Sequence, residues 1–159
     1  MRRTDRQIVD IAAIQGIVEK AKVLHLGLWD GECPYVVPLH YGYTFKDGAF
    51  IFYMHSATEG HKLDLIRRYP CVCVELECDV ALVSGGEIAC KYGAAYASVI
   101  GRGQAEIVED EQEKISALRL LMQNQTGRNF EISAQMADTV AVIKATIPSF
   151  TAKSRPMPL

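Results

Sequence analysis

Apolar positions near the start of the chain recur at helical spacing and then switch to strict alternation. Thr4 followed by Gln7 is a capping-box pattern, and Ile8, Ile11, Ile14, Ile17 and Val18 follow with a period near that of an α-helix. This predicts an amphipathic helix whose stripe leans on a sheet. From Val23 the period becomes two. Leu24, Leu26 and Leu28 share one face, Val23, His25 and Gly27 the other, and Asp30-Gly31 supplies a favoured hairpin turn. A second strand is predicted through Tyr35-Val36-Val37 and on through Leu39 to Phe45. Pro38 lies inside it and lacks the backbone donor, so an edge, a bulge or an opened ladder is expected there. Asp47-Gly48 turns the chain again into a third strand, Ala49 to Met54. Three strands joined by two tight turns predict an antiparallel meander, the start of a barrel or sandwich rather than of a doubly wound parallel sheet.

A short helix with Leu63 and Ile66 in register follows and closes at Tyr69-Pro70. Cys71 to Glu77 is apolar and rich in β-formers, a fourth strand. Residues 79–93, with the turn signal Ser84-Gly85-Gly86, read as a loop or excursion. Tyr96 to Val108 predicts a long strand whose Gly101 and Gly103 signal a bend or a close backbone approach. Asp110 with Glu113 repeats the capping box and opens a helix carrying Ile115, Leu118, Leu121 and Met122. A helical turn near 132–138 precedes a final strand, Val140 to Ile147. No internal repeat, low-complexity tract or linker interrupts this order. The expected architecture is mainly β: one domain over residues 1–159, a six-stranded antiparallel barrel flanked by helices.

Composition narrows the function classes. A length of 159 residues suits one core, commonly about 100–200 residues, and 49% hydrophobic content is ample to fill it. Seventeen basic against nineteen acidic residues leave a net charge of −2, which argues against nucleic acid or an acidic membrane as partner. No apolar run approaches the ~18 residues of a membrane span, and Met1-Arg2-Arg3 leads into a polar stretch, so a cytoplasmic protein is expected. The five cysteines are odd in number and lack CxxC spacing, so neither a metal knuckle nor a redox pair is indicated. Cys71, Cys73 and Cys78 are expected to be reduced thiols buried in a strand.

The segment Met54-His55-Ser56-Ala57-Thr58-Glu59-Gly60-His61-Lys62 carries the chemistry. A strand gives way to a helix there, and free N–H groups at a helix start favour anions. Ser56 and Thr58 add hydroxyls, Gly60 allows close approach, and Lys62 can reach back. The competing reading of the same residues is an ordinary helix cap with a solvated lysine.

Pro34-Tyr35-Val36-Val37-Pro38-Leu39-His40-Tyr41-Gly42-Tyr43, Phe52-Tyr53-Met54-His55-Ser56-Ala57 and Gly60-His61-Lys62 resemble the pyridoxamine-phosphate-oxidase-like flavin proteins, and more closely their nitroimidazole-resistance branch. The likeness continues through Tyr69 to Glu75 and Tyr96 to Ile107, and covers roughly residues 5–150. It implies a split β-barrel that dimerises and binds FMN at or near the subunit interface, with FAD as the alternative flavin. The isoalloxazine would lie along Val37, Pro38 and Leu39 and along His55, Ser56 and Ala57. The phosphate would sit at Lys62, and Tyr96, Ser98 and Val99 would form a further wall. Arg155-Pro156-Met157-Pro158 does not reproduce the arginine- and histidine-bearing ending of the vitamin oxidases, so their reaction is not implied.

The leading expectation is therefore an FMN-dependent oxidoreductase passing electrons from a donor such as NAD(P)H to small electron-poor acceptors, nitroaromatics or quinones. The cofactor does the redox chemistry, which fits the lack of an acid–base triad. His55 is the catalytic candidate, as a hydrogen-bond donor or proton shuttle beside the ring. Two other readings stay open: a flavin carrier or sensor without turnover, and a haem protein using one of His25, His40, His55 or His61. Strands apolar on both faces, such as Cys71 to Val74 and Val140 to Ile143, call for cover on both sides, which supports a homodimer.

Overall fold

The alternation of Leu24, Leu26 and Leu28 becomes a strand with all three leucines buried. The computed structural model describes residues 4–157. Its elements run β1 (Gln7–Ile8), α1 (Ile11–Lys20), β2 (Leu24–Trp29), β3 (Pro34–Leu39), β4 (Tyr41–Lys46) and β5 (Ala49–Ser56). They continue with α2 (His61–Arg68), β6 (Cys71–Val83), β7 (Gly93–Ile107), α3 (Glu111–Thr126), α4 (Ala134–Asp138) and β8 (Ala141–Arg155). Eight strands thus stand where six were expected. They form one antiparallel sheet in the order β3-β2-β6-β7-β8-β5-β4, with β1 added to β8.

The expected meander is corrected at Pro38. β3 and β4 are separate strands: β3 pairs only with β2, β4 only with β5, and they occupy opposite ends of the sheet. Yet only His40 separates them in sequence. Two Cα steps span at most about 7.6 Å, so the sheet curls until its ends meet without a ladder between them. That is a barrel with a split.

Four further expectations change. The first helix starts at Ile11, capped by Asp10, whose carboxylate accepts from the Ala13 N–H at 2.9 Å. Gln7 and Ile8 are drawn into the sheet opposite Lys153 and Ala152. Residues 79–93 divide: β6 runs to Val83 and rejoins β7 after a register slip between Cys78 and Ala81, where Asp79 takes φ 57°, while residues 84–92 form the expected loop with one short 3-10 turn. The last strand continues past Ile147 to Arg155. Finally, the cysteines of β6 are not core residues. Val72, Val74 and Leu76 fill the core, while Cys71 is exposed and Cys73 and Cys78 are half-buried.

The core lies inside the curl. It joins Ile14, Ile17 and Val18 of α1 to Phe50, Phe52 and Met54 of β5 and to Ile143 and Ile147 of β8. Tyr41 is fully buried, its hydroxyl 2.5 Å from the Val18 carbonyl oxygen and 2.9 Å from that of Ala21, which ties the end of α1 to β4. Burial pushes that phenol far above its usual range. On the other side, α3 seats against β4 at Gly42. A Cβ there would lie 2.3 Å from the Leu121 nitrogen, so only glycine fits.

Candidate functional site

The split defines the site. Tyr41 opposite Met54 is the last pair between β4 and β5. Beyond it, His55 and Ser56 pair only on their other side, with Val142 and Ala141 of β8. β3 likewise pairs on one side only. Pro38 and Leu39 therefore border the same seam as His55, Ser56 and Ala57, and both strand edges turn backbone polar groups without ladder partners toward it.

Side chains along the seam divide between two faces. Val37 and Leu39 are half-buried against the core, and Pro38 is exposed opposite His25. A ligand in the seam therefore meets the backbone edge of β3 more than its side chains. Ser56 is 8% exposed and donates to the Ala57 carbonyl at 2.8 Å. His55 is exposed and helps line an apolar pocket of 180 Å³ with Leu118, Leu121, Met122, Met136 and Val140. The methionines and Ile132, which also lines it, carry no motif. Only the proximity of α3 and α4 to β5 reveals them.

α2 opens at the far end of the seam. Its N-cap is Gly60, at φ 140°, and no side chain caps the helix. The N–H groups of Leu63 and Asp64 both turn back to the Gly60 carbonyl, so those of His61 and Lys62 are left for a ligand. Lys62 is half-buried and, among the described residues, makes no hydrogen bond or ion pair. His61 packs edge-on to Tyr35 of β3, ring centroids 5.0 Å apart, which fastens the helix start to that strand. Nearby, Asp30 accepts from the N–H groups of Cys33 and Glu32 at 2.8 and 2.9 Å. These two bonds hold its carboxyl below the usual range.

The β7 residues lie elsewhere. Val99 is a core residue at 1% exposure, paired on both sides to Leu76 and Ala152, so its side chain is turned away from any cofactor on the surface. Tyr96 and Ser98 face outward from the sheet, Tyr96 beneath the Lys153 ammonium at 5.7 Å. Within one chain the seam and this outer face are not brought together. A cluster missed in the sequence shares that face: His25 Nδ1 lies 3.2 Å from a Glu75 oxygen and 3.9 Å from one of Glu77. Burial, then the neighbouring Glu77, raises the Glu75 pKa.

Comparison with known proteins decides the family. The model of the pyridoxamine 5'-phosphate oxidase family matches residues 10–154. The chain belongs to that family. Among solved structures, this pyridoxamine 5'-phosphate oxidase family member is similar to a candidate 5-nitroimidazole antibiotic resistance protein from Bacteroides thetaiotaomicron. The identity is 32%, over 93% of this chain and 86% of that one, with TM-score 0.78. The flavocytochrome Anf3 from Azotobacter vinelandii shares the fold at 21% identity, 99% and 73% coverage and TM-score 0.79. An FAD- and heme-binding protein from Mycobacterium smegmatis does so at 14%, 97% and 76%, with TM-score 0.78. No curated protein matches the chain. Among the described residues of this family member, no helix is long and apolar enough to cross a membrane.

Proposed function

We propose that this protein binds a flavin along the seam and uses it to reduce small electron-poor acceptors such as nitroaromatics. The observation that carries the reading is the open seam itself: two unpaired strand edges leading to an uncapped helix start and a half-buried lysine with no partner. A planar ring system with hydrogen-bonding edges fits the backbone groups of β3 and β5. A phosphate fits the free N–H groups of His61 and Lys62 and the Lys62 ammonium. FMN, with one phosphate, is the flavin we assign. The 32% identity to the nitroimidazole-resistance relative supports the acceptor class.

When bound, the flavin supplies the redox chemistry, and the chain supplies binding and orientation. Lys62 and the start of α2 neutralise the phosphate. Leu118, Leu121 and Met122 keep water from the apolar pocket beside β5. His55, exposed at its rim and without a hydrogen-bond partner among the described residues, can hold or donate a proton at an imidazole nitrogen. A homodimer completes the reading, because a second copy would cover the outer face and bring its Tyr96 and Ser98 toward the seam.

Haem has less support. His25 is held by Glu75, His40 by the Lys22 carbonyl at 3.0 Å, and His61 packs against Tyr35. The test is the visible spectrum of the purified protein, followed by anaerobic NADH or NADPH. Flavin bands that bleach, and recover with a nitroaromatic, are the expected result. Bands that persist would leave a carrier or sensor, and a Soret band without flavin would overturn the assignment.

A further inference from the structure

We propose that the apolar pocket between α3, α4 and the end of β5 holds one flat, uncharged ring, and that Met122 and Met136 decide which ring enters. On the flavin reading above, on which this role rests, that ring is the electron acceptor. The pocket is complete within one copy of the chain. Its lining comes from β5, α3, α4 and the residues flanking α4, with none from β2, β6, β7 or β8. His55 is the residue it shares with the seam, so a ring held there lies beside the cofactor's path.

The walls are apolar and only partly covered. Leu121 is buried, but Leu118, Met122, Ile132 and Val140 are half-buried, and Met136 is 56% exposed. These large side chains surround a hollow of 180 Å³ without closing it. A cavity of about 150 Å³ is enough to hold benzene. The hollow therefore suits a single ring and is too small for a pyridine dinucleotide.

The exposure of Met136 does not come from a loose helix. The Ser133 hydroxyl oxygen accepts from its N–H at 3.2 Å, and the Thr139 hydroxyl donates to its carbonyl at 2.7 Å. Ala137 beside it is fully buried. Lys114 pairs with Asp138 at 3.7 Å and Arg119 with Glu131 at 3.2 Å, which ties α4 and the segment before it to α3. Both backbone groups of Met136 are thus fixed while its thioether stands at the mouth of the pocket. Met122 supplies a second thioether from α3. A flexible, polarisable side chain adapts to rings of different outline and makes favourable sulfur–aromatic contacts.

The polar content narrows the ligand further. His55 is the one ionisable residue of the lining, and its imidazole has no hydrogen-bond partner among the described residues. An imidazole N–H can donate to one oxygen at the edge of a ring, such as that of a nitro group or a quinone. Among the described residues no lysine, arginine, aspartate or glutamate lines the pocket. A ring bearing a charge would give up its hydration there for little in return.

The test is NMR of the full chain, FMN-loaded and flavin-free, with isotope-labelled methionine methyl groups, titrated with nitrobenzene in the absence of reductant. The Met122 and Met136 signals should shift saturably, while that of Met54, buried in the core, should not move. The same ring bearing a carboxylate, para-nitrobenzoate, should not saturate them. Met136→Gln should raise both the Kd of nitrobenzene and its KM with NADH as donor about tenfold, with FMN affinity unchanged. Met122→Ala, which enlarges the pocket, should gain binding of nitronaphthalene, a gain that a misfolded variant cannot show. Methyl signals that stay still, that respond equally to para-nitrobenzoate, or that keep the parent Kd in Met136→Gln would overturn the ring site. A KM that fails to follow the Kd would overturn its role as the acceptor's place. Saturable shifts in a chain that takes up no flavin would overturn the flavin reading instead and leave the ring site standing.

Discussion

Two places along β5, only two residues apart, treat polar groups in opposite ways. Tyr53 points into a closed network: its hydroxyl donates to Glu113 at 3.2 Å, and Lys144 holds Glu113 at 2.9 Å and Glu106 at 3.1 Å. His55 begins a stretch, running to Lys62, in which the ladder to β4 has ended, the helix is uncapped and the cation is unpaired. Both regions pack beside the same strand, so access to a core cannot explain the contrast. The difference teaches that along β5 the unmatched polar groups lie on the seam side, where a ligand can match them, while the α3 side satisfies its charges internally.

The sharpest way to break this contrast is Lys62→Ala. If Lys62 waits for a phosphate, its removal should weaken FMN binding about tenfold or more, near 1.4 kcal/mol, in a fluorescence-quenching titration. Unfolding of the flavin-free protein should move by less than about 0.5 kcal/mol. A variant that binds FMN as tightly as the parent would show that the seam does not hold the phosphate.

Lys144→Gln should do the reverse. It leaves Glu106 and Glu113 without their shared cation and should destabilise the fold by about 1 kcal/mol in urea, with FMN affinity unchanged. The hydrogen bond to Glu113 is the main reason the Lys144 pKa is pushed up to about 12 from 10.5. Because the folded value is the higher one, this stabilisation is complete below pH 10.5 and is lost as pH rises through about 12. The parent should therefore lose urea resistance over that alkaline window, and Lys144→Gln should not show that share of the loss.

How much of this was legible in the sequence depended on whether the signal was local. Alternation in β2, the Asp110–Glu113 cap and the breaking residue Pro38 are local, and each is realised in the structure. The resemblance supplied the barrel, and the missing donor of Pro38 correctly marked a place where pairing fails. That β3 and β4 stand at opposite ends of one sheet is a long-range fact, for which a run of apolar residues from Tyr35 to Phe45 offers no sign. The helix begins later than the Thr4–Gln7 pattern suggests because Gln7 and Ile8 pair with β8 and Asp10 caps the helix instead. Within the site, Lys62 and His55 stood in a motif and could be named. Val99 was named with its neighbours, but strand alternation sends alternate residues to opposite faces, and Val99 falls on the core side. Met122 and Met136 stand on different helices, and only the packing of α3 and α4 beside β5 places them on one pocket with His55.

The smallest effect belongs to a cluster intermediate between the two regions. His25, Glu75 and Glu77 are partly matched: one imidazole serves two carboxylates on the outer face. Burial first, and Glu77 second, raise the Glu75 pKa above 4.5, so the folded protein binds that proton more tightly than the unfolded chain does. The contribution is stabilising below about pH 4.5 and is lost as pH rises through the folded pKa. Glu75→Gln keeps a similar shape and removes the charge. At neutral pH it should match or exceed the parent in urea, by at most a few tenths of a kcal/mol because solvent screens a group this exposed. Its advantage should vanish in acid, at about pH 4. A variant less stable than the parent at neutral pH would mean that the His25 pairing outweighs burial, and would move this cluster into the same class as the closed Lys144 network.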